Sequence, residues 1–247
     1  MDNKKVILYI VNWIKDYVSS SNYDIKSLVV GVSGGIDSAL TSILCAKTGI
    51  QTIAIKIPLK TKDLTLSKGH CDFLISNYDN VKVHQVDLTE TFDKFHESCM
   101  SIGFTNDLGF ANSKSRLRMM LLYQAASSYS GIVVGTGNKV EDFGVGFYTK
   151  YGDGGVDISP IADLTKSDVR SLAKDLGVSD DILKSPPTDG LWDDDRTDEQ
   201  QLGLSYEDLE DAMSNENSIH RKKYLDIRKR NIHKMKAIPV CIIKDKN

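Results

Sequence analysis

The sequence is poor in the features that mark fibrous, disulfide-stabilised or membrane-spanning chains. Its 247 residues include 5 prolines and 4 cysteines, and no two cysteines form a CxxC pair. That scarcity argues against a disulfide scaffold or a zinc cage and favours a reduced, cytoplasmic protein. No apolar run approaches the roughly 20 residues that a membrane helix needs. The N-terminus carries charges within its apolar stretch and has no small-residue cleavage site, so we expect no signal peptide.

An excess of charge of one sign is also lacking. The net charge is −3, with 40% hydrophobic and 26% charged residues, which is ordinary for a globular protein. We therefore do not expect nucleic acid as a partner. The stretch HRKKYLDIRKRNIHKMK is locally basic, but a solvated helix face is its more ordinary explanation. Because no repeat or linker divides the sequence, we expect a single domain over residues 1–247.

Strand and helix patterns alternate along the first half of the chain. Ile7, Ile10, Ile14 and Val18 recur at helical spacing and predict an amphipathic first helix. Short apolar runs predict strands and longer periodic patterns predict helices: strands at 28–32, 51–57, 81–86 and 132–134, and helices at 37–47, 68–75, 92–102 and 113–128. This alternation predicts right-handed crossovers and an α/β fold, a doubly wound parallel sheet flanked by helices.

The second half of the chain has a different composition. Residues 135–157 are rich in glycine, which predicts a functional loop rather than packed regular structure. A helix is predicted over 165–176, with Gly177 behind it, followed by an acidic stretch over 189–199. The pattern from Ser205 onward is helical, so we expect the sheet to carry a helical C-terminal part.

The segment GVSGGIDS, residues 31–38, lies between the first predicted strand and a helix. Glycines allow a ligand to approach the backbone, and a helix N-terminus offers free N–H groups to a phosphate. The segment is neither a Walker A loop nor a dinucleotide fingerprint. Asp37 beside a triphosphate would make sense with a Mg²⁺ between them. The alternative is a tight turn in which Asp37 and Ser38 cap the helix.

This segment reads SGGxDS and resembles the pyrophosphatase-type ATP loop of adenylating enzymes, which implies an adenine nucleotide alpha-hydrolase-like fold. The chain as a whole resembles the ammonia-dependent NAD⁺ synthetases. Six blocks carry that resemblance: NSKSRLRMMLLY (112–123), GTGNKVE (135–141), FYTKYGDGGVD (147–157), PIADLTK (160–166), DEQQLGLSYEDLE (198–210) and HK (233–234). Departures from the family pattern are one extra residue between Glu141 and Lys150, Asp189 in place of alanine, and Met235 in place of arginine.

The resemblance implies the last step of NAD⁺ biosynthesis, with Mg²⁺ as cofactor, ATP as co-substrate and a homodimeric assembly. ATP would adenylate the nicotinate carboxylate of deamido-NAD⁺ and release pyrophosphate, and ammonia would then displace AMP. Asp37 and Glu141 match the metal positions of the family. Residues that match its ATP site are Gly31, Val32, Ser33, Gly34, Gly35, Ile36, Asp37, Ser38, Thr136, Lys166 and Thr188. Residues that match its deamido-NAD⁺ site are Arg116, Lys150, Asp157, His233 and Lys234.

The family reaction suggests catalytic roles for Asp37, Lys166, Asp153 and Asp157. Metal and Lys166 would neutralise the charge that builds on the departing pyrophosphate. Asp153 and Asp157 are candidates for steering ammonium and taking its proton, and a role confined to positioning substrate is equally open. Glutamine hydrolysis needs a nucleophile on a separate domain, so we expect free ammonia as the nitrogen source.

Each of these residues has a simpler alternative explanation. Arg116 would be a solvated helix side chain, Lys150 an ordinary loop charge, and Asp153 and Asp157 turn caps. Glu141 is undecided from sequence alone. The acidic residues 193–195 suggest either a metal site or a polar loop, and the histidines outside the family pattern show no metal-ligand spacing. The remaining functional alternatives are another adenylating amidotransferase or tRNA-modifying enzyme, and a non-catalytic nucleotide sensor.

Overall fold

The computed structural model describes residues 2–60, 63–192, 194 and 196–243. Its first half contains α1 (Asn3–Ser20), β1 (Ser27–Gly31), α2 (Ile36–Lys47), β2 (Gln51–Lys56), α3 (Thr65–Asn77), β3 (Val81–Gln85), α4 (Thr89–Met100), α5 (Asp107–Ser128) and β4 (Gly131–Val133). Its second half contains a π-helix (Lys139–Val145), α6 (Lys166–Asp175), α7 (Asp180–Lys184), α8 (Asp198–Leu202), α9 (Tyr206–Ser214) and α10 (Arg221–Met235). Among the described residues, no helix combines the length and apolarity needed to cross a membrane.

The four strands form one parallel sheet in the order β3-β2-β1-β4. Val29 of β1 pairs with Ile53 of β2 on one side and with Val133 of β4 on the other. The chain runs outward from β1 to β3 and then returns to the opposite side of β1. Ligands of open α/β sheets bind at such a reversal, beyond the carboxyl ends of the strands. The end of β1 is therefore the expected place for a site.

Helices cover both faces of the sheet, which confirms the predicted doubly wound α/β fold. Leu28 and Val30 of β1 face a core built with α1, α2, α3 and α6. Val29, between them, faces the opposite core, where Met119 and Leu122 of α5 pack. Because successive side chains of a strand point to opposite faces, a strand covered on both sides is apolar throughout. This explains the continuous apolar run from which β1 was predicted.

A separate apolar cluster joins the π-helix to the C-terminal helices. Val140 and Val145 of the π-helix pack with Tyr206 and Leu209 of α9 and with Ile227 of α10. The predicted helical C-terminal part is thus confirmed, and it rests on the segment that directly follows the sheet.

The absence of regular structure predicted for residues 135–157 is wrong over the π-helix. Gly144 is buried there, and a Cβ at this position would lie 2.9 Å from the sulfur of Met213. This glycine is therefore needed for close packing against Met213, and it does not form a turn. The helix predicted over 92–102 ends at Met100, and the apolar residues that predict it do not form a continuous buried face. Phe92 is buried, whereas Phe95 and Ile102 are 44% and 66% exposed.

Candidate active site

The loop at residues 31–38 connects β1 to α2 and is held by its own serines. The Ser33 N–H donates to the Ser38 hydroxyl at 3.2 Å, and that hydroxyl donates to the Gly35 carbonyl at 2.9 Å. Gly35 is the N-cap of α2, and no side chain caps this end of the helix. The alternative in which Asp37 and Ser38 cap α2 is therefore not what the structure shows. The first N–H groups of α2 are open to an anion.

Gly34 gives this loop its shape. Its φ of +93° lies in a region that other residues rarely adopt, and a Cβ there would sit 3.0 Å from the Ser67 backbone nitrogen. The loop therefore passes directly over the start of α3, and a glycine is required at this position.

Lys166 lies between two carboxylates from distant parts of the chain. Its Nζ is 2.6 Å from Oδ2 of Asp37 and 2.8 Å from Oε1 of Glu141. The Lys166 side chain is only 2% exposed. Thr165 caps α6 in a capping box with Asp168, which fixes Lys166 as the first residue of that helix. The structure thus brings together both predicted metal ligands and the predicted ATP-binding lysine.

Asn138 fixes the two carboxylates relative to each other, and the sequence analysis gave it no role. Its Nδ2 donates to Oδ1 of Asp37 at 3.1 Å, and its Oδ1 accepts the N–H groups of Val140 and Glu141. The Asn138 side chain is fully buried. A buried amide that makes three hydrogen bonds has one orientation, so it sets the start of the π-helix against the loop after β1.

Tyr206 and Asp198 lie next to this cluster, and the sequence predicted no role for either. The Tyr206 hydroxyl donates a hydrogen bond to Oε1 of Glu141 and lies 3.3 Å from Oδ2 of Asp198. Burial, followed by the charges of Glu141 and Asp198, raises the pKa of Tyr206, so the phenol keeps its proton and donates. Burial and the charge of Glu141 raise the pKa of Asp198 to about 7.

The charges in this cluster set the protonation states of Lys166 and Glu141. Burial disfavours both ions, but the Asp37 and Glu141 carboxylates outweigh it and raise the pKa of Lys166. Burial also disfavours the Glu141 carboxylate. The charge of Lys166 and the hydrogen bonds from Lys166 and Tyr206 outweigh burial and lower the pKa of this carboxyl. The cluster therefore holds an ammonium and ionised carboxylate in a site almost closed to water.

A second group of predicted residues surrounds the segment 147–157. Nε of Arg116, on α5, donates to the Lys150 carbonyl at 3.2 Å. Nζ of Lys234, on α10, donates to the Tyr148 carbonyl at 2.7 Å, while His233 is exposed beside it. Residues predicted to bind deamido-NAD⁺ thus come together from α5, the 147–157 segment and α10.

The two aspartates proposed for ammonia chemistry hold the backbone of this segment. Oδ1 of Asp153 accepts the Ser115 hydroxyl at 2.6 Å and the Thr149 N–H at 3.0 Å. Oδ2 of Asp157 accepts the Val133 N–H at 2.7 Å, at the end of β4. These contacts are the structural ones that the simpler explanation expects, and a role in positioning substrate or in proton transfer stays a prediction.

The π-helix falls where the sequence predicted one extra residue after Glu141, and that extra residue stays a prediction. Each hydrogen bond of a π-helix spans five residues instead of four, and the Gly146 N–H accordingly donates to the Glu141 carbonyl. Glu141, within this helix, keeps its contact with Lys166 at 2.8 Å. The same turn carries Asp142, whose pKa is raised well above its ordinary value by burial and then by Asp153 and Glu141.

Two of the predicted ATP-binding residues, Thr136 and Thr188, come from other segments of the chain. Thr136 follows β4 and is half-buried. Thr188 is exposed, and its hydroxyl donates to the Arg196 carbonyl at 3.2 Å and accepts the Gly190 N–H. Asp193 and Asp195, considered as metal ligands, lie outside the described residues. Within the described part of the chain, no three His, Cys, Asp or Glu side chains are grouped to hold a metal ion.

Comparison with known proteins places the chain in a family. The family model for NAD synthase matches residues 6–244. The chain is 34% identical to an NH(3)-dependent NAD(+) synthetase from Finegoldia magna, covering 96% of this chain and 95% of that protein. It is 36% identical to another from Mesoplasma florum, covering 87% and 86%. A solved structure of an NMN synthetase from Francisella tularensis superposes with a TM-score of 0.89 at 32% identity, covering 98% of this chain and 100% of that one. The chain therefore belongs to the NAD synthase family.

Proposed function

We propose that this chain amidates deamido-NAD⁺ with ammonia and ATP, giving NAD⁺, AMP and pyrophosphate. The observation that carries the proposal is the Asp37–Lys166–Glu141 cluster placed beside an uncapped helix N-terminus at the switch point of the sheet. Anion-binding N–H groups next to a buried lysine suit a triphosphate whose pyrophosphate departs. Membership of the NAD synthase family supports the identity of the substrates.

In this proposal the chain positions two charged substrates and stabilises one leaving group. The loop at residues 31–38 and Thr136, Lys166 and Thr188 hold ATP. Arg116, Lys150, Asp157, His233 and Lys234 hold the dinucleotide, with its carboxylate near the α-phosphorus. The carboxylate attacks that phosphorus and expels pyrophosphate, whose charge Lys166 stabilises. Ammonia then attacks the acyl carbon and AMP leaves.

Asp37 and Glu141 also suit Mg²⁺. Their oxygens already share one cation, the ammonium of Lys166, at 2.6 and 2.8 Å. Carboxylates are the ligands Mg²⁺ prefers, and it is usually bound by one or two of them together with substrate phosphates. Two carboxylates alone make a weak site, so we propose that metal and ATP bind together. A bound Mg²⁺ would screen the charge of the phosphates.

We expect AMP and pyrophosphate as products, not ADP and phosphate. The loop lacks the Walker lysine that attends γ-phosphoryl transfer, and its open N–H groups suit a departing pyrophosphate. Phosphorus NMR of a mixture of enzyme, ATP, Mg²⁺, ammonium and deamido-NAD⁺ would show both products in equal amounts. ADP growing in step with the amide would contradict the proposal, and ATP left intact would favour a nucleotide sensor.

We expect ammonium, and not glutamine, to supply the nitrogen. Burial raises the pKa of the Cys45 thiol to about 12 and that of Cys71 to about 11, so neither is a ready nucleophile. NAD⁺ formation would be followed with alcohol dehydrogenase, using equal concentrations of ammonium chloride and ammonia-free glutamine. Efficient turnover with glutamine and no partner protein would count against this nitrogen source.

The solved relative named as an NMN synthetase favours a second candidate of the same chemistry. Nicotinate mononucleotide carries the same carboxylate as deamido-NAD⁺ and lacks its adenylyl half. The two substrates are distinguished by measuring kcat/KM for AMP release with each under identical conditions. The substrate with the higher value identifies the physiological reaction, and the adenylation step is common to both.

We further propose that the enzyme is a cytoplasmic homodimer. Cys45 and Cys71 are free thiols, as a reducing compartment would keep them. Tyr9, Trp13 and Tyr17 follow one another at intervals of four along α1 and are all exposed. An exposed aromatic row on one helix face suits a contact with a second copy. Light scattering of the purified chain tests this assembly.

A further inference from the structure

We propose that Tyr206 is a positioning residue for the reaction, and that Asp198 in turn holds Tyr206. In this assignment the phenol keeps Glu141 aimed at the cation that it shares with Asp37. The inference rests on the proposed amidation, and it concerns residues that touch the predicted ligands without being ligands themselves.

Tyr206 makes two different contacts with the cluster. Its hydroxyl donates to Oε1 of Glu141, the same oxygen that accepts from Lys166. The Lys166 ammonium lies 4.7 Å from the centroid of the Tyr206 ring. The side chain therefore holds the carboxylate by a hydrogen bond and the ammonium by a cation–π contact. A phenylalanine would keep the second contact and lose the first.

The surroundings of Asp198 indicate that its role is to hold the Tyr206 hydroxyl in place. It is 6% exposed, its Oδ1 makes no hydrogen bond within the described part of the chain, and its Oδ2 meets the Tyr206 hydroxyl. A buried carboxylate with one unsatisfied oxygen is costly, and packing alone would select an apolar side chain here. The Asp198 N–H also donates to the Pro187 carbonyl, next to Thr188. The pair thus links the carboxylate cluster to the predicted ATP-binding threonine.

A helix cap and a backbone hydrogen bond fix the position of Tyr206. Ser205 caps α9 in a capping box with Asp208, and the Tyr206 N–H donates to a carboxylate oxygen of Glu199 at 3.0 Å. The side chain is 2% exposed and packs with Val140 in the apolar cluster that joins the π-helix to the C-terminal helices. Because the phenol is anchored before any ligand binds, it can restrict the rotation of Glu141 in the free enzyme.

The test is Mn²⁺ binding to the full-length chain in the presence of a non-hydrolysable ATP analogue, with free Mn²⁺ followed by electron paramagnetic resonance. We expect Tyr206→Phe to weaken Mn²⁺ binding by about 10–100-fold, the usual effect of removing a group that orients a metal-binding side chain. The KM for Mg²⁺ in turnover should rise in parallel, while the KM for deamido-NAD⁺ stays unchanged.

Tyr224→Phe is the matched control. Tyr224 belongs to the same apolar cluster and is 6% exposed, and its hydroxyl donates to the Gly144 carbonyl at 3.4 Å. This variant also loses one buried hydroxyl, and it should bind Mn²⁺ as the wild type does. A general loosening of this apolar cluster would affect both variants alike and would overturn the assignment.

Asp198→Ala provides an independent variant in case Tyr206→Phe does not fold. This variant retains the Tyr206 side chain but removes the carboxylate that holds its hydroxyl toward Glu141. We therefore expect weaker Mn²⁺ binding, while the cation–π contact between Lys166 and the Tyr206 ring is kept. Wild-type Mn²⁺ affinity in whichever of the two variants folds would overturn the inference. Binding is measured without turnover, so a wild-type chain that makes no NAD⁺ would refute the proposed function separately.

Discussion

Replacing Asp37 with asparagine is expected to slow pyrophosphate release at saturating ATP and Mg²⁺ by about 10²–10³-fold. Asparagine keeps the shape of the side chain and can still accept a hydrogen bond from Lys166. It removes one of the two charges that share the Lys166 ammonium. Glu141→Gln should have an effect of the same size, because it removes the other charge. Stopped-flow detection of pyrophosphate measures both.

The control for these variants is Asp163→Asn. Asp163 also pairs with a lysine, Lys139, at 2.8 Å, but its side chain is 95% exposed. An exposed ion pair contributes little, so its loss should leave the rate and the folded state unchanged. Wild-type turnover in Asp37→Asn or in Glu141→Gln at saturating Mg²⁺ would show that the carboxylates do not serve the adenylation step.

How far the sequence predicts this site depends on whether a residue has a local pattern. The loop at residues 31–38 is recognisable because a strand, glycines and a helix start follow one another, and the structure places it at the end of β1. Asp37 and Lys166 are 129 positions apart, so no local pattern shows that they form an ion pair. Only the sheet topology and the packing of α6 against α2 bring them together.

Residues without a local pattern were missed for a physical reason. Tyr206 is the first residue of α9 and contributes to an apolar cluster, as any aromatic residue at that position would. Nothing in the sequence shows that its hydroxyl meets Glu141, 65 positions earlier. Asn138 has the form of an ordinary N-cap, and its bond to Asp37 depends on tertiary structure. A buried polar side chain has partners only once the chain has folded.

The π-helix shows where composition misleads. A glycine-rich composition predicts an irregular loop, since glycine is costly inside helices. Gly144 instead lets the helix pack against Met213, and Gly146, with a φ of +69°, ends the helix.

Replacing Lys166 with methionine is expected to destabilise the ligand-free enzyme by about 3–5 kcal/mol, the usual effect of breaking a buried ion pair from one side. Methionine fills a similar volume but leaves Asp37 and Glu141 without their shared cation. Turnover should also fall by about 10²–10³-fold, because the leaving pyrophosphate loses a positive charge. Lys139→Met is the matched control, since that lysine pairs with the exposed Asp163.

The two effects of Lys166→Met differ in their response to divalent ions. A dication between Asp37 and Glu141 replaces the missing ammonium, and a ligand that binds only the folded state stabilises it. The Tm of the variant should therefore rise with millimolar Mg²⁺ or Mn²⁺ when ATP is absent. The Tm of the wild type should not respond, because its own lysine occupies the space between the carboxylates. Turnover of the variant should stay low at every ion concentration, since the metal restores stability and not the charge that Lys166 offers the pyrophosphate. If the Tm of Lys166→Met does not change when divalent ions are added, the two carboxylates do not form a cation site.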